Sequence, residues 1–110
     1  MTLLTLEDAR QYLRVDSHDE DTLITTLLST SASLCIDVAR FSKEQWADLD
    51  SDKIYSANFS RIEITRAREL MKTAILYGVG YLYEHREEAD HHDLVMTLRN
   101  LLFSVREGVF

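Results

Sequence analysis

Apolar residues recur along this chain at three- and four-residue spacing, and the elements they mark are helices. Leu6, Ala9 and Leu13 share one face of a first helix, with Thr5 placed to cap the amides of Glu7 or Asp8. After a polar connection, Val15–Asp19, a longer helix is predicted over Glu20–Arg40. Its apolar stripe is Leu23, Ile24, Leu27, Leu28, Ser31, Leu34, Cys35 and Val38. Asp19 or Asp21 is the expected cap, since acidic groups suit a positive helix start. Ser29, Thr30 and Ser33 lie mostly off the stripe. Ser42-Lys43-Glu44-Gln45 has capping-box spacing and predicts a short helix over Lys43–Leu49. Asp48–Ser60 has no helical period and reads as a loop, anchored on the core by Ile54, Tyr55 and Phe59. A long helix follows from Arg61 to Glu87. The polar connection Glu88–His92 leads into a closing helix, Asp93–Arg106, with Leu94, Leu98, Leu101, Leu102 and Val105 on one face.

The middle of the long helix changes this picture. Within RARELMKTAILYGVGYLYEHREE, from Arg66 to Glu88, the residues Ala74 to Tyr83 are apolar or small on every side. A helix apolar all round is one buried on all sides. In a chain of 110 residues few other elements exist to cover it. It is therefore expected to be the axis of a small domain, or to be covered in part by neighbouring subunits. The fold expected is a single all-α domain over 1–110, a small bundle of about four to five helices around that long central helix. The lack of proline and the three glycines, Gly78, Gly80 and Gly108, fit a helical chain.

Composition narrows the class. Hydrophobic residues at 45% favour a folded chain, and a domain of this size hides roughly two-thirds of its unfolded surface. With 12 Lys and Arg against 19 Asp and Glu, the net charge is −7. That argues against a dedicated nucleic-acid binder, though not against a protein that surrounds DNA without gripping it. One cysteine permits no internal disulfide and points to a reducing compartment. The start MTLLTLEDARQYL turns acidic at once, unlike a signal peptide. The longest apolar stretch, about ten residues, is short for a bilayer. A soluble, intracellular product with no membrane association is expected.

Candidate chemistry is sparse. His85, His91 and His92 lie near Glu84, Glu88, Asp90 and Asp93, types that ligate divalent metals. The chain has no HExxH, CxxC or second cysteine, so solvated loop or cap positions are the plainer reading, with a protonation-sensitive subunit contact between the two. Cys35 sits on an apolar stripe with no histidine at helical spacing and reads as packing. Gly78-Val79-Gly80 lies inside a helical pattern and is no phosphate cradle; close helix packing is expected there, with Tyr77 and Tyr81 beside it. Tyr77, Tyr81 and Tyr83 suit a core whose hydroxyls reach the surface or a partner better than a base-stacking platform. Arg61, Arg66, Arg68 and Lys72 form a basic run interrupted by Glu63 and Glu69. A salt-bridged solvated face and a contact with an acidic partner are its two readings. No enzyme active site and no cofactor site is read from the chain.

Two segments and a closing helix together resemble a known family. LTLEDARQYLRVDSHDEDTLI places a short helix, a Val-Asp connection and an acidic start to a second, apolar-striped helix. AILYGVGYLYEHREEAD is a buried helix ending in an aromatic residue, Glu84 and then Arg86-Glu87. In order, spacing and length, from Leu4 to about Val105, the chain resembles the small head–tail connector proteins of tailed bacteriophages and prophages, also called DNA-packaging or head-completion adaptors. The short Glu88–His92 connection and the Asp48–Ser60 stretch depart from the common pattern. The resemblance implies a helical subunit of a homo-oligomeric ring, typically twelve-fold in the virion. That ring docks under the portal protein after packaging and carries the next connector, stopper or tail-completion protein. DNA passes through without sequence-specific binding. The implied place is the virion head–tail junction, and the host cytoplasm during assembly. No catalysis and no cofactor is implied. Two other classes stay open: a helix-turn-helix DNA-binding regulator using Arg61–Lys72, and a metal-dependent protein using His85, His91 and His92.

Overall fold

The structure, a computed structural model, describes residues 3–54, 56–87 and 91–107. Among these the chain forms six helices and no strand: α1 Leu6–Leu13, α2 Asp21–Ala39, α3 Lys43–Leu49, α4 Arg61–Glu84, α5 His92–Leu101 and α6 Phe103–Glu107. It is an all-α bundle. The helix α4 spans ~36 Å at 1.5 Å per residue, close to the molecule's longest dimension of 40 Å. The rest of the chain is arranged along it.

Local chemistry sets most helix ends. Thr5 caps α1 through a reciprocal box: Asp8 N–H donates to Thr5 Oγ1 (3.2 Å) and Thr5 N–H to Asp8 Oδ2 (2.9 Å). Ser42 and Gln45 do the same for α3. Ser60 caps α4. The start of α2 differs from expectation. Neither Asp19 nor Asp21 caps it; Glu20 holds the cap position but its side chain makes no capping hydrogen bond to the helix amides. The physical reason is competition. Asp21 faces His18 at 3.0 Å and Arg10 at 3.3 Å, and Glu20 faces α4. Both α1 and α2 end on an arginine in the left-handed region, Arg14 (φ 60°) and Arg40 (φ 59°). Each closes a double-bonded Schellman turn, with Val15 N–H to Arg10 O and Phe41 N–H to Ile36 O.

α2 and α4 run antiparallel as the central pair. Glu20 meets Tyr83 at one end, Ser31 Oγ donates to Ile75 O (2.7 Å) midway, and the Phe41 and Phe59 rings meet edge-on at the other. Gly78 lets them approach closely: a Cβ there would collide with Ser31 Oγ and lie 3.2 Å from Ser31 Cβ. α1 packs on both members of the pair, and so does α5. α1 and α5 make no substantial contact with each other, although both reach α4 near Gly80–Tyr81, so they cover opposite sides of the pair. By length and composition α2 is long and apolar enough to cross a membrane, contrary to the ten-residue estimate. In this fold its apolar stripe is the seam with α4, while Thr22, Thr25, Thr26, Ser29, Thr30 and Ser33 are exposed.

The central helix is not wrapped all round. Ile64, Ala67, Met71, Ala74, Ile75, Gly78, Val79 and Leu82 are buried, but Ile62, Arg66, Glu69, Thr73, Tyr77 and Glu84 form an exposed strip. That strip lies mostly outside the apolar middle: within Ala74–Tyr83 only Tyr77 is exposed, so the chain itself covers most of that stretch. α4 stops at Glu84, three residues before the expected end. There the His85 backbone N–H donates to Tyr81 O, and its ring Nδ1 lies 2.9 Å from the same oxygen. The expected single closing helix is two, α5 and α6. The break at Leu102 is slight, since Leu102 N–H still donates to Leu98 O and Arg106 N–H to Leu102 O. Leu94, Leu98, Leu102 and Val105 are buried as one face.

In the 50–60 loop only Phe59 anchors as expected. Ile54 is 53% exposed, and Tyr55 lies outside the described residues. Asp48 and Arg68 take over the anchoring. Asp48 accepts from Asn58 Nδ2 (3.0 Å) and Lys53 Nζ (3.3 Å). Arg68 donates to the carbonyls of Asp48, Leu49 and Lys53. The Arg68 guanidinium fork thus spans three backbone carbonyls, while Asp48 pairs with Lys53.

Candidate functional site

Residues at the α1 and α4 surface frame a groove of about 570 Å³. Its floor is the exposed strip of α4, Tyr77, Gly80 and Glu84. One wall is Tyr12 and Arg14, the other Tyr81 and His85. Tyr12 lies over Gly80, where an added Cβ would come 3.0 Å from its ring. Glycine there lets the edge of the tyrosine ring come close to the helix. Tyr12 remains 48% exposed and Tyr77 38%. On the far wall the rings of Tyr81 and His85 stack at 4.2 Å, and His91 meets Tyr81 edge-on at 6.3 Å.

The groove is held rigid by two charged clasps. Arg10, almost fully buried, reaches across the α1–α2 turn. It donates to Glu7 Oε2 (2.8 Å), Asp16 O (2.9 Å) and Ser17 O (3.0 Å). Its Nε faces Asp21 Oδ1 at 3.3 Å as an ion pair without hydrogen-bond alignment. Each contact offsets desolvation of a cation that would otherwise be costly to bury. The second clasp joins α2 to the end of α4. Tyr83 OH donates to Glu20 Oε1 (2.9 Å), Arg86 Nη1 approaches Glu20 Oε2 (3.5 Å), and the Arg86 guanidinium lies 5.1 Å from the centre of the Tyr83 ring. That hydrogen bond, ahead of burial and the Glu20 charge, raises the Tyr83 phenol above its ordinary value.

The residues singled out from sequence separate in space. Gly78 and Gly80 face different neighbours, Ser31 on α2 and Tyr12 on α1. Tyr77 opens to solvent, Tyr81 is stacked, and Tyr83 is tied to Glu20. The basic run also divides. Arg68 is the loop clasp, Lys72 pairs loosely with Glu69 (3.7 Å), and Arg61 and Arg66 stand exposed. His85 and His91 both touch Tyr81, whereas His92 is exposed on the first turn of α5. Among the described residues no three His, Cys, Asp or Glu side chains are placed to share a metal ion; Glu88 and Asp90 lie outside them. Burial pushes the Cys35 thiol up to about 12, so at neutral pH it is a packed thiol and not a nucleophile.

Sequence reasoning missed Tyr12, Arg14 and the Glu20–Arg86 contact. Tyr12 alone left a signal, as a large aromatic off the Leu6/Ala9/Leu13 stripe of a short helix. Arg14 depends on how α1 sits on α4, and the Glu20–Arg86 contact on how α2 does. No family model, no curated protein and no solved structure matches the chain.

Proposed function

We propose that this protein is a structural adaptor of a phage or prophage head–tail junction. In this reading copies form a ring beneath the portal protein after DNA packaging, and the ring receives the next connector, stopper or tail-completion protein. One observation carries the reading. The two segments on which the family resemblance rests meet in the fold over their described residues, the opening through Ile24 against Ala74 through Glu87. Tyr12 lies on Gly80, Glu20 joins Tyr83 and Arg86, and Arg10 locks the turn between α1 and α2. Separately weak patterns thus belong to one structural element.

The charge and surface support it further. A net charge of −7 gives a surface that repels a DNA backbone, which suits passage without gripping. A small subunit with exposed Tyr12, Ile62, Tyr77, Met96 and Phe103 has apolar area that assembly would cover. The DNA-regulator alternative fits less well. Residues 50–60 separate α3 from α4, far more than the three- or four-residue turn of a helix-turn-helix, and Arg68 is turned onto the loop.

The test mixes the purified chain with portal particles from the same phage or prophage. Electron microscopy is expected to show added density as a closed ring on the face of the portal that the tail occupies. Removal of the gene is expected to leave DNA-filled heads without tails. Normal tailed particles after removal, with no binding to portals, overturn the reading.

A further inference from the structure

On the assumption that the chain assembles as a ring, we infer which two surfaces meet: the outward strip of α5–α6 on one copy seats in the α1/α4 tyrosine groove of the next. The strip is Asp93, Met96, Arg99 and Phe103, at three- and four-residue spacing on the side of α5 and α6 away from the buried Leu94, Leu98 and Leu102. Met96 is 41% exposed and Phe103 60%. The two lie two helical turns apart, with Arg99 between them and Asp93 at the start. The backbone ladder continues through Leu102, so the strip is nearly straight.

The groove offers the complement. Tyr12 and Tyr77 present open aromatic faces, and its volume of about 570 Å³ is ample for a phenylalanine ring beside a methionine. Its charged rim consists of Arg14 from α1 and Glu84 from α4. Neither has an ion-pair partner among the described residues, and neither have Asp93 and Arg99 on the strip. Each surface therefore carries one unpaired acid and one unpaired base beside exposed apolar side chains. Seating Arg99 at Glu84 and Asp93 at Arg14 matches both pairs. A guanidinium over an aromatic ring already occurs beside the groove, between Arg86 and Tyr83. The strip and the groove are different surfaces, so the contact is head-to-tail. Such contacts close into rings when the rotation allows, which a self-complementary patch cannot do.

The test uses two full-length variants, Tyr77→Cys and Phe103→Cys, mixed in equal amounts and treated with a short bis-maleimide. Cys35 is fully buried and stays unreactive in the folded chain. The expected product is the Tyr77→Cys/Phe103→Cys pair, well above the proportion that random pairing gives. Random proportions overturn the contact. Charge reversal provides a second arm that leaves the apolar surfaces intact. Arg99→Glu or Glu84→Arg alone is expected to weaken self-association about tenfold, and both changes in one chain to restore it. Single reversals without effect overturn the pairing. Rings that form on portals with random cross-links defeat this contact but leave the adaptor reading standing. Selective cross-links without any portal binding keep the contact and defeat the adaptor reading.

Discussion

Gly78→Ala tests the tightest point of the fold. The substituted Cβ would occupy the space of Ser31 Oγ and sit 3.2 Å from Ser31 Cβ. Ser31 is fully buried, and its hydroxyl donates to Ile75 O at 2.7 Å. It must rotate away or the helices must part. Overpacking of this kind costs about 1–3 kcal/mol, and the lost hydrogen bond with a stranded hydroxyl about 1–3 kcal/mol. Better helix propensity of alanine returns about 1 kcal/mol. The net is a destabilisation of ~2–3 kcal/mol, read as a lower midpoint in urea with an unchanged slope. A double-mutant cycle isolates the cause. In a Ser31→Ala background the colliding oxygen is gone, so the cost of Gly78→Ala should fall by at least ~1 kcal/mol. Gly78→Ala that stabilises the chain, as it would on an exposed helix, refutes the close α2–α4 crossing. An equal cost in both backgrounds refutes Ser31 as its cause.

Other positions give outcomes as definite. Ile75→Ala, at a fully buried site on α4, should cost ~2–5 kcal/mol by the same denaturation assay. A loss near zero would mean that α4 gains its cover only on assembly. Arg40→Gly should raise stability by ~1 kcal/mol, because the native φ of 59° suits glycine; calorimetry showing a lower midpoint would contradict the turn geometry. Asp48 is held below its ordinary value of 3.8, first by the Asn58 hydrogen bond, with Lys53 adding to it. A depressed native value means that its contribution is present above about pH 4 and fades as pH falls through it. Asp48→Asn should therefore be less stable than the parent at neutral pH, with the gap closing in acid; a gap that widens in acid reverses the sign and the assignment. Cys35 should resist thiol reagents at pH 8 until denaturant is added.

Local grammar made much of the fold legible. α3 spans Lys43–Leu49 as its capping box requires, and Thr5 begins α1, because both signals are complete within four residues. The α2 stripe is legible because Ile24, Leu28, Ser31 and Cys35 recur at three- and four-residue spacing and are all buried. Legibility fails where a residue's partner lies far along the chain. Glu20 leaves the cap of its own helix for Tyr83, and Arg68 turns onto a loop that hydropathy assigns to Ile54 and Tyr55. Pattern counting also has no means of ranking small residues. Gly78 is buried against Ser31, whereas Gly80 two residues on is only half-buried, yet neither interrupts the apolar run Ala74–Tyr83.

The same division by helical phase decides where a partner can be sought. Read as a string, Arg61, Arg66, Arg68 and Lys72 form one basic patch. Folded, Arg68 faces the Asp48 loop and Lys72 leans on Glu69, so only Arg61 and Arg66, flanking the exposed Ile62, are open for contact. The tyrosines divide likewise. Tyr83 is bonded to Glu20 and Tyr81 is stacked on His85, which leaves Tyr77 facing Tyr12 across the groove. The patterns that looked most functional in one dimension are therefore partly scaffolding. The surface open to a neighbour combines residues from α1 and α4 that no spacing rule would pair. Arg10, buried, ties the α1–α2 turn to both helices it connects, and Tyr12 at Gly80 brings α1 against α4.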